Sequence, residues 1–236
     1  MSYFGRVTIG LFWMVCSLPL RAGIVWIAGD HGEAGPLPAS AQTIPVGVYN
    51  DSLDFIYGNL TDSNSANMFR ILITDVTNFT AEVTPDAVTD PNTQVIPQIF
   101  LFDIFGFPIV GAYGAFTGDA ILPFGPDPAI YGPGYYYLMV DSVGHDPIST
   151  GTGKALFCTG SGFFPADWQP CLDTANPKID GYTGEGVSPG TYLIALNGAT
   201  AETPEPGSVV LMLSGLAAVL ALTRKKRPSA GGGRAS

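Results

Sequence analysis

The chain has 236 residues, of which 46% are hydrophobic and only 13% charged. That balance excludes a disordered polyelectrolyte and a charge-laced helical bundle, and 30 glycines with 20 prolines favour short strands joined by many turns. Only Arg70, Lys154 and Lys178 lie between residues 24 and 206, together with all 20 acids, so this body carries a net charge of −17 and does not suit nucleic-acid phosphates.

In chain order, Arg6 precedes an apolar run of 14 residues, Val7 to Leu20 (VTIGLFWMVCSLPL), and small residues at Ala22 and Gly23 follow. This pattern predicts a secretory signal helix over residues 1–23, cleaved near Ala22 or Gly23. A membrane anchor is the rival reading, but 14 residues containing Pro19 fall short of the roughly 20 that a spanning helix needs. Residues 24–49, with Pro36, Pro38 and Pro45, read as a linker into the body.

Strand signals dominate residues 50–198. Phe79, Ala81 and Val83 alternate with Thr80, Glu82 and Thr84. Phe69, Ile71 and Ile73 share a face, as do Tyr192, Ile194 and Leu196. Ile99 to Phe102 (IFLF) and Tyr135 to Val140 (YYYLMV) are apolar on both faces and read as central strands, while Leu53 to Tyr57 and Phe107 to Val110 are weaker signals. The expected fold is all-β, an antiparallel jelly-roll-like sandwich flanked by the signal helix and a C-terminal apolar helix.

A Gly-rich insert over residues 142–189 interrupts the strand pattern and contains Cys158 and Cys171. The third cysteine, Cys16, lies in the segment expected to be cleaved, and the two left in an exported chain predict a disulfide; metal ligation or a catalytic thiol would need histidine partners at suitable spacing. The acids in Gly-rich turns, Asp30, Glu33, Asp141 and Asp146, are the candidate ligands for a hard cation such as calcium, although no cofactor is expected. His145, between Asp141 and Asp146, is the one arrangement that resembles a base with an orienting carboxylate, and a loop histidine on an acidic surface is the simpler reading. Trp168, Tyr131, Tyr135 and Tyr182 are candidate aromatic platforms for a sugar.

The C-terminus has three parts. Pro204, Glu205 and Pro206 end a Pro-rich linker over residues 199–207, an apolar helix follows over 208–223, and Arg224, Lys225, Lys226 and Arg227 open a basic tail over 224–236. The stretch from Val209 to Leu222 amounts to about 21 Å of helix, short of a ~30 Å hydrocarbon core, so the basic cluster must snorkel and stay cytoplasmic. This end resembles the PEP-CTERM sorting signal of Gram-negative bacteria. The resemblance implies an exosortase-type processing enzyme as partner, passage through the membrane, tail removal, and delivery to the cell surface or matrix, in the company of exopolysaccharide and biofilm.

The body also resembles a known module. Gly58 to Leu60 (GNL), Ala66 to Ile71 (ANMFRI), Phe100 to Asp103 (FLFD) with Gly106, and Gly134 to Leu138 (GYYYL) are similar to the bacterial pre-peptidase C-terminal-like β-sandwich. That resemblance implies an accessory surface module without catalysis of its own. Some relatives carry calcium at acidic loops; here Asn67 stands where the family usually has Asp, and neutral residues 112–116 replace the acids expected after Gly106. Taken together, these readings predict a structural or adhesive protein rather than an enzyme. A carbohydrate-binding surface lectin is the alternative, and a hydrolase comes third.

Overall fold

The computed structural model describes residues 23–46, 51–87, 95–114, 119–122, 132–159, 168–171 and 178–201. Sixteen strands run along them. They are β1 (Ile24–Ile27), β2 (Gln42–Thr43), β3 (Asp51–Leu60), β4 (Ala66–Ile73), β5 (Thr80–Pro85), β6 (Pro97–Phe102), β7 (Pro108–Tyr113) and β8 (Ala120–Ile121). Then come β9 (Gly134–Ser142), β10 (Asp146–Ser149), β11 (Lys154–Ala155), β12 (Phe157–Thr159), β13 (Trp168–Pro170), β14 (Gly181–Thr183), β15 (Gly190–Asn197) and β16 (Ala199–Ala201). Among the described residues the helices are two short 3-10 turns, Ala28–His31 and Pro38–Ser40.

The architecture is mostly antiparallel β, a sandwich curling towards a nearly closed barrel in the order β12-β13-β7-β6-β9-β4-β16-β3-β15-β5-β8. Strand β3 turns the corner between the two layers: Asp51 and Ser52 pair with β16, whereas Phe55 to Leu60 pair with β15. The period-2 segments behave as expected. Phe79, Ala81 and Val83 are buried, and so are Phe69, Ile71, Ile73, Tyr192, Ile194 and Leu196. They fill the space between the layers with Leu53, Ile56, Ile99, Leu101, Leu138 and Val140.

Strands β6 and β9 are neighbours; β6 is buried on both faces throughout, as its unbroken apolar run demands, and β9 is buried on both faces only from Leu138 onward, Tyr135 standing exposed and Tyr137 half-buried. Their outward residues Phe100, Phe102 and Met139, with Met68 of β4, form a second core closed by Leu156, Phe157 and Ile179 of the insert. Phe157 meets Phe100 at 4.7 Å and Phe102 edge-on at 5.4 Å between ring centroids. The insert is thus a lid built from the three-stranded β11-β10-β14 sheet and the β12–β13 hairpin, which joins the main sheet through Trp168 opposite Gly111. The disulfide predicted at Cys158 and Cys171 is present, with the two Cα atoms 5.1 Å apart.

Residues 24–46 are more ordered than a linker. Strand β1 lies parallel to β3 and β2 parallel to β4. Trp26 donates to Gln42 Oε1 at 2.7 Å, and Gln42 Nε2 donates to the carbonyls of Ala28 and Gly32. Trp26 also stacks on His31. With four and two residues, β1 and β2 are too short to show a period-2 signal, while these side-chain bonds supply order that periodicity did not advertise.

Candidate functional site

Two places on the outer face of the β4-β9-β6 layer concentrate chemistry. The first is a buried polar cluster at the root of the insert. Asp141 of β9 stands directly opposite Gln98 of β6, and both side chains are fully buried. A bare carboxylate there would be expensive, so the chain brings it partners. A tight turn, with His145 N bonded to Ser142 O and Gly144 at φ +96°, folds His145 back over the strand end. His145 Nδ1 then lies 2.9 and 3.0 Å from the two Asp141 oxygens, and the Ser142 N–H donates to Asp141 Oδ1 at 2.7 Å. Gln98 Nε2 clamps the same turn by donating to the carbonyls of Ser142 and His145.

The far side of the histidine is also occupied. Tyr182 of β14 stacks on it with centroids 4.6 Å apart, and the Tyr182 hydroxyl bonds Pro36 O and Met139 Sδ. Burial pushes the Asp141 carboxyl up to about 7, with the hydrogen bond and charge of His145 pulling less strongly downwards. Asp146 is also raised by burial, opposed by a hydrogen bond from Gln98, and burial raises the Tyr182 phenol. The result is a histidine that is 6% exposed, with one nitrogen on a carboxylate and a ring face on a tyrosine. Chemically, that arrangement braces a turn.

The second place is an open cleft of about 370 Å³ between the β6–β7 turn and the start of β9. Asp103 shapes the turn by accepting the Phe105 and Phe107 N–H groups on Oδ1, at 2.8 and 2.9 Å. Gly106 at φ +88° completes it and pushes Phe105 outward, where it is 67% exposed. Opposite stand Gly132 to Tyr136, with the Tyr136 hydroxyl donating to Gly132 O at 2.6 Å. Tyr135 lines the cleft, and the Arg70 guanidinium lies 4.1 Å from the centre of its ring.

The predicted residues are distributed as follows. Asp141 and Asp146 come together at the insert root, whereas Asp30 and Glu33 are exposed beside the first 3-10 turn. Among the described residues no three His, Cys, Asp or Glu side chains gather as metal ligands. Tyr182 packs into the buried cluster, Tyr135 lines the cleft, and Trp168 belongs to β13. Tyr131, the residues Pro204, Glu205, Pro206 and Arg224 to Arg227 expected to form a sorting signal, and both expected terminal helices lie outside the described residues. No described helix is long and apolar enough to cross a membrane. Gln98, Phe105 and Arg70 were missed by sequence reasoning. A glutamine inside an otherwise apolar, doubly buried strand was the one available signal. Comparison with family models, curated proteins and solved structures finds no match for this chain.

Proposed function

We infer that the chain is an exported, non-enzymatic surface or matrix module with a jelly-roll-like body, structural or adhesive in an exopolysaccharide setting. The observation that carries this reading is the Cys158–Cys171 disulfide in the insert, since such bonds persist in oxidising compartments outside the cytoplasm. It agrees with the signal-like N-terminus and with the tripartite tail, whose Pro204-Glu205-Pro206 would be read by an exosortase-type enzyme. The engagement of His145 by Asp141 and Tyr182 supports a structural role for the one acid–base pair that suggested catalysis.

Intact mass and cell fractionation of the protein from its own bacterium test the proposal. A matrix species lacking both ends, and two hydrogens lighter than its reduced form, is the expected result. A membrane species that retains residues 207–236 would make the tail a permanent anchor. Replacing Pro204 and Pro206 with Ala should trap uncleaved protein, and normal release would overturn the sorting assignment.

The second reading, a carbohydrate-binding module, is favoured by the cleft, where the exposed rings of Phe105 and Tyr135 sit on a rigid turn and a strand. Loss of glycan binding in Phe105→Ala would support it.

A further inference from the structure

The body holds three cations against twenty acids, and two of those cations lie against aromatic rings that line one cleft. Arg70 rests on Tyr135, a wall of the cleft. Lys178 places its Nζ 4.8 Å from the ring centre of Phe107 and 5.8 Å from that of Phe105, the opposite wall. Among the described residues neither forms an ion pair, and Arg70 Nε is buried without a hydrogen-bond partner. Among the described residues, then, both cations contact aromatic rings rather than carboxylates.

Among the described residues the cleft is lined by one acid, Asp103, whose Oδ1 already accepts two backbone N–H groups. The described charges beside it, Arg70, Lys178 and Asp103, therefore sum to a positive value, although the body as a whole is negative. Ions beyond about 8 Å are largely screened at physiological salt, so the near cations dominate what a bound group feels. A cation behind an aromatic ring also withdraws negative potential from the ring's other face. That weakens a purely neutral stacking partner and favours one that brings negative charge.

We propose that the cleft between Phe105 and Tyr135 binds a carboxylated sugar of an acidic polysaccharide. The sugar ring packs on Tyr135 and Phe105 while its carboxylate takes the charge of Arg70 and Lys178. This rests on the reading of the cleft as a carbohydrate site and adds the charge class of the ligand.

The test measures binding of the intact protein to a galacturonate oligomer and to the same oligomer with its carboxylates methyl-esterified. The acidic oligomer should bind about tenfold more tightly at low salt, and the advantage should shrink as salt is added. Lys178→Gln, on an exposed side chain, and Arg70→Gln should bring the acidic oligomer down to the level of the ester. Phe105→Ala should weaken both ligands. Equal binding of the two oligomers would overturn the acidic assignment while leaving a sugar site in place. Binding of neither, or binding indifferent to Phe105→Ala, would remove the sugar site as well.

Discussion

Replacing Asp141 with Asn tests the electrostatics of the insert root directly. Burial lifts this carboxyl from its ordinary 3.8 to about 7. An acid whose pKa rises on folding holds its proton more tightly in the folded chain. Its contribution to stability is therefore complete below pH 4 and is lost as pH climbs through 7. Between pH 4.5 and 8 the loss amounts to ~3 kcal/mol. Asp141→Asn keeps the side-chain shape and an oxygen to accept the Ser142 N–H, but it does not titrate. Urea unfolding of both proteins at pH 4.5, 6 and 8 gives the stability difference at each pH. Changes in the overall negative charge cancel in that difference. Wild type should lose ~3 kcal/mol relative to the variant across the range. A difference constant to within ~0.5 kcal/mol would mean that the folded carboxyl titrates as it does in water, and the burial argument would fail.

Three further outcomes follow from the packing. Replacing Cys158 and Cys171 with Ser removes a link between residues 13 apart and should cost ~3 kcal/mol by the chain-entropy estimate, read by urea melts with and without reductant. Phe100→Ala opens the second core and should cost about 3–5 kcal/mol, and limited proteolysis should then cut first within residues 142–189. Gly198→Ala should lower the melting temperature and cost roughly 1–3 kcal/mol, because residue 198 has φ +77° and an added Cβ would lie 2.5 Å from the Asp75 carbonyl oxygen. A Gly198→Ala variant that melts with wild type would refute that steric reading.

Much of the β architecture was legible locally. Alternation at Phe79, Ala81 and Val83 marks the inward face because successive strand residues point to opposite sides. The unbroken run at Ile99 to Phe102 is covered on both faces as its composition requires, whereas the run from Tyr135 to Val140 is covered so only from Leu138, because the tyrosines at its start tolerate partial exposure. The cluster and the cleft were harder. His145 lies four residues from Asp141 and could be suspected, but Gln98 is more than forty residues away and reaches the turn only through β6–β9 pairing. Arg70 reads as a solvent-facing strand residue until β4 sets it on the outer face beside β9, within reach of Tyr135.

By itself, then, the sequence determined strand-forming segments, their inward faces and two cysteines able to pair, because pleating and burial act over neighbouring residues. Tertiary structure alone decided that the insert closes the second core, that residues 24–46 join the sheet, and that two of three body cations lie against aromatic rings lining one cleft. Those outcomes depend on which distant strands pair, and pairing is selected by the energy of the whole packed sheet rather than by any local period.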